Sequence, residues 1–167
     1  MTGLLERPAP APALALRPAA ADDRAAVRAF LARLSLESAY RRFFTGLGSP
    51  SSALVRCLVE VDHDRRETML AVRAGEVVGL ADCTRLADGV TVELGVVVAD
   101  RWQRQGLGPR LAAAVLELAA ARGAQLVRMH ALAENQRVAR LVRRAWPQGV
   151  PTRDGAVLTW ELALPVG

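Results

Sequence analysis

The sequence contains no lysine, so arginine supplies all 22 of its basic residues. This absence excludes the phosphate-binding P-loop, in which an obligatory lysine follows the glycines. It also means that no lysine side chain of this chain is open to modification. The net charge of +5 permits binding to phosphates or acidic partners, although the arginines are scattered along the chain rather than clustered in a tail.

Cysteine and histidine are scarce, with two residues of each type. Two cysteines are too few for a disulfide framework, and together with two histidines they do not make a convincing zinc site. We therefore expect no metal. Cys57 and Cys83 both stand among apolar residues, which predicts two small core side chains.

Aromatic residues and long apolar runs are equally few. Aromatics make up 4% of the chain and form no motif for stacking on bases, so no nucleic-acid partner is expected. No apolar run reaches the roughly 18 residues of a membrane-spanning helix. The N-terminus lacks the basic start and uninterrupted apolar core of a secretory signal. These features predict a cytoplasmic protein without a membrane partner.

The chain does contain enough apolar sequence for a core. Hydrophobic residues make up 51% and charged residues 23% of its 167 residues, a composition typical of one globular domain. Prolines alternate with alanines near the start, so residues 1–12 are predicted to be a flexible lead-in. Residues 13–167 are predicted to be a single domain.

The spacing of apolar residues predicts an alternating series of helices and strands. In chain order these are a strand at 14–17, a helix through Val27 and Leu34, helical pieces at 36–44 and 49–61, strands at 67–73, 76–86 and 90–100, a helix from Leu107 to Leu118, a strand at 125–132, a helix from Val138 to Ala145 and a strand at 156–164. Short glycine-containing turns separate the three middle strands, which predicts an antiparallel meander. The strand after the Leu107 helix can lie parallel to the strand before it, so a mixed α/β, sandwich-like domain is expected.

The stretch DRWQRQGLGPRL, residues 100–111, connects the last meander strand to the Leu107 helix. The first backbone N–H groups of a helix have no internal partner, and the helix dipole favours negative charge there. Gly106 and Gly108 would let a phosphate approach the backbone, and Gln103 and Arg104 would add donors. The dinucleotide fingerprint is excluded, because GLGPRL has a leucine where that motif needs its third glycine. Read alone, the loop fits a phosphate site or a plain helix start.

The segment VELGVVVADRWQRQGLGPRLAAAVLELAAARG resembles the acetyl-CoA-binding segment of the GNAT N-acetyltransferase superfamily, whose signature is Gln/Arg-x-x-Gly-x-Gly/Ala. Gln103, Gly106 and Gly108 stand at the signature positions. LSLESAYRRFF and VDHDRRETMLAV are similar to the segments before the meander in bacterial protein lysine acetyltransferases of the Pat type. The resemblance covers about residues 13–163. It implies an α/β (α+β) fold with a mostly antiparallel central sheet, flanking helices and a splayed strand pair for the cofactor.

The resemblance also implies where acetyl-CoA, the co-substrate, would bind. The pantetheine arm would pair with backbone groups of Val96 and Val98. Asn135 matches the asparagine that often contacts this arm, and a plain helix N-cap is its alternative. On the same helix Arg137, Arg140 and Arg144 would meet the 3′-phosphate or, as we favour, form a solvated face. The pyrophosphate would lie over backbone N–H groups at Arg104, Gln105, Gly106, Leu107 and Gly108.

Glu93 is the candidate general base. A lysine-type amine has a pKa near 10.4 in water, so a base must remove its proton before the amine attacks the thioester. In GNAT relatives with a glutamate at this position, that residue is the base; a solvent-facing strand glutamate is the alternative. Many relatives carry a tyrosine acid where this chain has Val142. Either Tyr40 supplies the acid or, as we favour, the thiolate leaves without one, because a thiol is a tolerable leaving group.

The implied activity is transfer of an acetyl group from acetyl-CoA to a primary amine, either a small molecule or a protein lysine. Asp62 and Tyr40 are candidate substrate-binding residues, Asp62 because its charge would attract a cationic amine. A non-catalytic acyl-CoA-binding or sensory module is the alternative. The acceptor, the length of the acyl chain and the choice between a monomer and a homodimer stay open, because a fold does not specify its substrate.

Overall fold

Seven strands form one mixed sheet in the computed structural model of the chain, which describes residues 13–46 and 48–164. They are β1 (Leu14–Pro18), β2 (Arg66–Arg73), β3 (Glu76–Arg85), β4 (Thr91–Val98), β5 (Leu126–Leu132), β6 (Thr152–Asp154) and β7 (Val157–Ala163). Their order across the sheet is β1-β2-β3-β4-β5-β7-β6. Neighbouring strands run antiparallel except β4 and β5, which run parallel. The predicted lead-in at residues 1–12 lies outside the described residues.

Within the described ranges, five α-helices pack on the two faces of this sheet. They are α1 (Arg24–Ala32), α2 (Leu36–Phe43), α3 (Ser52–Val59), α4 (Leu107–Ala121) and α5 (Gln136–Ala145). One hydrophobic core joins α1 and α3 to one face of the sheet, with Phe30 and Leu80 at its centre. A second core joins α4 and α5 to the opposite face through Leu111, Val142 and Trp160. The sheet therefore separates an α1–α3 side from an α4–α5 side.

Local sequence explains where several elements begin and turn. Ser35 caps α2 and Ser51 caps α3, each accepting a backbone N–H from three residues ahead at 3.1 Å. Ala74 and Gly75, both at positive φ, make the tight turn between β2 and β3. Gly106 adopts the left-handed conformation directly before α4. These caps and turns agree with the pattern of predicted helices and strands.

The predicted element order and the mixed, mostly antiparallel fold are confirmed. The strand β6 was not predicted, because its three residues are all exposed and show no apolar alternation. The prediction that Cys57 is a core residue is wrong: its side chain is exposed, whereas Cys83 is buried. The reason is that α3 buries Val55, Leu58 and Val59, and Cys57 lies on the other side of that helix.

Candidate active site

The parallel strands β4 and β5 separate part of the way along their length. Their paired residues run from Thr91 opposite Leu126 to Leu94 opposite Met129. Both strands continue for several residues beyond this point, without further pairing between them in the described part of the chain. The result is a V-shaped opening in the sheet, which is the splayed strand pair that the resemblance implied.

The backbone of β4 directs hydrogen-bonding groups into this opening. Ala99 donates its N–H to the carbonyl of Val78 on β3 at 2.9 Å, and successive residues of a strand point their backbone groups to opposite sides. Val98 and Val96 therefore point theirs toward the opening. The carbonyl of Val98 accepts a hydrogen bond from Nε2 of Gln103 at 3.0 Å. The N–H of Val98 and both backbone groups of Val96 then face the space where a ligand arm would run.

A concave backbone segment leads from the end of β4 into α4. Arg104 and Gly106 have φ angles of 62° and 77°, and left-handed residues in a turn bring successive N–H groups into one concavity. Arg104 is strained, because this conformation is uncommon outside glycine. Within the described residues, no backbone N–H from Arg104 to Gly108 donates to a protein acceptor. The segment therefore has the donors of an anion site at a helix N-terminus.

The side chains of Leu107 and Gln105 are turned away from the concavity, whereas Arg104 borders both cavities of the site. The Leu107 side chain is buried, so its N–H is all that it offers to a ligand. The Gln105 amide donates to the Arg101 carbonyl at 3.0 Å. Gly108 lies over β4, where an added methyl group would be 3.9 Å from the side chain of Val96. At Leu107, Gln105 and Gly108 the loop therefore offers a ligand backbone groups, and their role in holding a pyrophosphate stays a prediction.

Gln103 connects the loop to α2. Besides the Val98 carbonyl, its Nε2 donates to the hydroxyl of Ser38 at 2.9 Å. Ser38 in turn donates to the carboxylate of Asp100 at 2.8 Å, and Ser35 donates to the same carboxylate through its hydroxyl at 2.6 Å and its N–H at 3.1 Å. Partial burial raises the pKa of Asp100, but the hydrogen bonds from Ser35 and Ser38 outweigh it and the net pKa is lowered. The first turn of α2 is thus tied to the loop.

Glu93 lies at the base of the opening on the α1–α3 side of the sheet. Its side chain is 49% exposed, and its Oε2 is 3.4 Å from Nε2 of His130 on β5. The other ring nitrogen of His130, Nδ1, is 2.9 Å from the hydroxyl of Thr159 on β7. A carboxylate, an imidazole and a hydroxyl therefore lie in line across three strands, where the two parallel strands separate.

A cavity of about 1870 Å³ runs through the opening. Its lining includes residues from both sides of the sheet. On the α4–α5 side, alanines of α4 and apolar residues of α5 such as Val138 and Leu141 border it. On the other side it reaches Glu93, His130 and Arg42 of α2. The loop, the opening and Glu93 thus belong to one continuous space.

A smaller cavity of about 450 Å³ lies beside the loop and is rich in arginine. Its lining includes Arg41 of α2, Arg104 of the loop, and Arg137 and Arg140 of α5. Two of the three α5 arginines that we favoured as a solvated face therefore border a concave, cationic site. Asn135 lines both cavities, and its Oδ1 caps α5 by accepting the N–H of Val138 at 3.3 Å.

The two candidate substrate-binding residues lie elsewhere. Tyr40 is 46% exposed on α2, and neither it nor Asp62 lines the large cavity within the described ranges. Asp62 instead accepts the backbone N–H groups of Asp64, Arg65 and Arg66, which lower the pKa of its carboxyl. Asp62 organises the turn before β2, and a role for either residue in substrate binding stays a prediction.

No group of three histidine, cysteine or acidic side chains suited to a metal ion occurs among residues 13–46 and 48–164. In the same part of the chain, none of the helices has the length and apolar character that crossing a membrane requires.

The backbone N–H groups from Arg104 to Gly108 form what we call the anion cradle. A mixed sheet that opens between two parallel strands, with such a cradle beside the opening, is typical of acyl-CoA-dependent acyltransferases. Comparison with known families agrees, because the model of the acetyltransferase (GNAT) family matches residues 26–146. The chain belongs to the GNAT acetyltransferase family.

Solved structures agree with this assignment at the level of the fold. The chain is similar to the GNAT domain of PAT from S. lividans, with a TM-score of 0.82, 23% identity and 89% of each chain covered. It is similar to a cAMP-binding acyltransferase from Mycobacterium smegmatis, with a TM-score of 0.63 and 25% identity over 92% of this chain and 44% of that one. A third is yncA from Salmonella typhimurium, solved with acetyl-CoA, with a TM-score of 0.67 and 16% identity over 93% and 96% of the two chains. The expected likeness to Pat-type GNAT domains is confirmed.

Sequence reasoning did not identify His130, Ser35, Ser38 or Asp100 as parts of the site. For His130 a signal was present: on β5 it stands two residues after Arg128, whose register partner on β4 is Glu93. Alternation along a strand therefore puts His130 on the same side of the sheet as Glu93. The serines carry no such signal, since their partner Asp100 is more than sixty residues away in sequence.

Proposed function

We propose that the protein transfers an acetyl group from acetyl-CoA to a primary amine, with Glu93 as the general base. The observation that carries the proposal is the position of Glu93, which lines the same cavity as the loop that would seat the pyrophosphate. Its carboxylate is half-exposed at the separation of β4 and β5. A group that must meet both an incoming amine and the thioester requires this combination of solvent access and proximity to the cofactor space.

Different residues of the opening would bind different parts of acetyl-CoA. Backbone groups of Val96 and the N–H of Val98 would pair with the pantetheine arm. The N–H groups from Arg104 to Gly108 would hold the pyrophosphate. Asn135 lies beside them, and in the described part of the chain its amide nitrogen donates to no protein acceptor, so it would be available to the ligand. Gln103 would act indirectly, by holding the Val98 carbonyl and Ser38 in place.

The amine would approach from the α1–α3 side and lose its proton to Glu93. Attack on the thioester carbon then forms the amide bond and breaks the carbon–sulfur bond. The single tyrosine, Tyr40, does not border the large cavity in the described ranges. Position 142 holds a buried valine. The thiolate of CoA therefore leaves without a tyrosine acid, which its modest basicity allows.

The test of this proposal is Glu93→Gln. The variant keeps the size and polarity of the side chain but cannot take a proton, so kcat should fall by about 10²–10⁴-fold while the Kd for acetyl-CoA stays unchanged. Thiol release with an accepted amine measures the rate, and calorimetry measures the Kd. Glu60→Gln is the matched control, because Glu60 pairs with Arg24 on the surface.

Two outcomes would contradict the proposal. Unchanged thiol release by the Glu93→Gln variant would show that another group is the base. Tight binding of acetyl-CoA without stimulated release by any amine in a broad panel would instead favour a non-catalytic acyl-CoA-binding module.

We further propose a protein lysine as the acceptor to be tested first, on the strength of the likeness to the GNAT domain of PAT. The chain contains no lysine, so any acetyl-lysine signal in an assay must come from the acceptor. Lysine-containing peptides should stimulate thiol release more than matched arginine peptides. Equal stimulation by small amines alone would point to a small-molecule acceptor.

A further inference from the structure

The chain from Glu93 through His130 to Thr159 crosses three neighbouring strands. Nε2 of His130 faces the Glu93 carboxylate at 3.4 Å, and Nδ1 faces the Thr159 hydroxyl at 2.9 Å. The His130 side chain is 30% exposed, so it also reaches solvent. Both ring nitrogens therefore have defined neighbours, and the ring has a route for a proton to leave.

The sheet explains why these three side chains meet. Leu94 and Met129 are the last paired residues of β4 and β5, so His130 is the first residue of β5 in the opening. Thr159 is the register partner of His130 in the β5–β7 ladder, and partners in a ladder present their side chains on the same face. The contact is a consequence of strand register and does not depend on a loop.

We propose that His130 is a positioning and proton-relay residue for Glu93, accepting at Nε2 the proton that Glu93 removes from the amine. This inference rests on the proposed function of Glu93. The proton moves from the ammonium to the Glu93 carboxylate, then to Nε2 of His130, and from the imidazolium to water. No electron transfer occurs, and Glu93 returns to its ionised form.

Thr159 sets the tautomer that this relay needs. If Nδ1–H donates to the Thr159 oxygen, the lone pair of Nε2 faces Glu93 and can accept a proton. An imidazole is in general a stronger base than a carboxylate, which is the direction of transfer that the relay requires. The relay gives the proton a path that leads from Glu93 along β5 and away from the position of the incoming amine.

The other charged groups near this face are engaged in pairs of their own. Arg128, the register partner of Glu93 on β5, binds Glu161 of β7 at 2.7 Å, and its positive charge also interacts with the Glu93 carboxylate. Arg42 of α2 binds Asp82 of β3 at 2.5 Å. Arg41 of α2 also lines the cavity, and its guanidinium binds Glu37 at 2.5 Å. Asp88, before β4, accepts hydrogen bonds from Thr91. The Glu93 carboxylate is then the acidic partner nearest to His130.

The experiment compares His130→Gln with His63→Gln, which alters the other histidine of the chain. In His130→Gln we expect kcat to fall about 10-fold at neutral pH with an unchanged Kd for acetyl-CoA. The pH dependence of log kcat/KM should differ between the wild type and this variant, because the variant lacks the side chain that takes up and releases the proton. Thr159→Val should lower kcat by about threefold, because the ring loses its orienting partner. His63→Gln should behave like the wild type.

A second variant separates the relay from a structural role. In His130→Ala, added imidazole should restore part of kcat, in proportion to the neutral imidazole present, which a packing defect would not allow. A wild-type rate and pH profile in His130→Gln, alongside an inactive Glu93→Gln variant, would overturn the relay and leave the base assignment standing. A rise in KM alone, without imidazole rescue, would overturn it as well. Full activity of the Glu93→Gln variant would overturn the proposed function instead.

Discussion

Gly95 of β4 is a residue whose missing side chain makes room for a charged group of the site. The guanidinium of Arg42 lies across it and binds Asp82, the register partner of Gly95 on β3. A methyl group on Gly95 would overlap that guanidinium. The glycine therefore allows α2 to approach β4 where the strands separate.

We expect Gly95→Ala to lower the free energy of unfolding by about 1–3 kcal/mol, because the added methyl displaces Arg42 from Asp82. Urea unfolding measures the change. Gly46→Ala is the control, since an added Cβ at Gly46 meets no atom within 4 Å and the residue is not held at positive φ. Equal stability of the two variants would show that Arg42 rearranges at no cost.

Glu93 shows what a single residue type can and cannot indicate. The alternation of side chains along β4 was compatible with either a catalytic or a solvent-facing Glu93. The structure adds its neighbour His130 and the shared cavity, neither of which is a property of β4 alone.

At the scale of elements, α2 and the loop before α4 form one hydrogen-bonded unit. Asp100, Ser35 and Ser38 are its centre, and Gln103 extends it to β4. Ser38 of this unit lines the cavity on the α1–α3 side, from which the amine would approach, and Gln103 lies directly before the anion cradle. Movement of either part would disturb the other.

We expect Asp100→Asn to lower the free energy of unfolding by about 1 kcal/mol at pH 7, a value reduced by the solvent exposure of the site. The lowered pKa of Asp100 sets the pH dependence. A carboxyl whose pKa is lower in the folded state stabilises the fold above its ordinary pKa of about 3.9, and this contribution is lost as the pH falls through the folded value. The difference in stability between the two proteins should therefore shrink as the pH falls below about 3.9 and through the lower pKa of Asp100 in the folded state.

Urea unfolding at several pH values makes this comparison, and Asp22→Asn is a control on an exposed residue of the turn before α1. A difference between wild type and Asp100→Asn that persists unchanged at low pH would contradict a role for the ionised carboxylate.

The order of elements could be read from local patterns, and so could the glycine loop, because hydrophobic spacing and glycine content are properties of short segments. Strand β6 and the outward orientation of Cys57 could not. A three-residue exposed strand has no apolar pattern, and a helix with several apolar residues does not reveal which of its sides faces the sheet.

At the scale of the whole molecule, the net charge is +5, and part of the positive charge is concentrated where α2, the loop and α5 converge. Arginines that are scattered in sequence line one small cavity beside the anion cradle. A cofactor with several phosphates would meet both the backbone donors and these guanidinium groups, which suit phosphate geometry.

We expect Arg140→Gln to weaken acetyl-CoA binding about 5-fold at low salt, with a smaller effect in about 0.5 M salt, where charges are screened within a few ångströms. Calorimetry at the two salt concentrations measures the effect. Arg143→Gln is the control, because Arg143 is exposed on α5 and borders neither cavity in the described part of the chain. Equal losses in both variants would show that only the overall charge matters.

The sequence by itself determined the succession of helices and strands and the glycine turn before α4. These follow from spacing and residue type within short segments. Only the tertiary structure decided that His130 and Thr159 lie beside Glu93, that Asp100 binds α2, and that four arginines share a cavity. The physical reason is that strand register and helix docking depend on contacts between residues distant in sequence, which no local pattern contains.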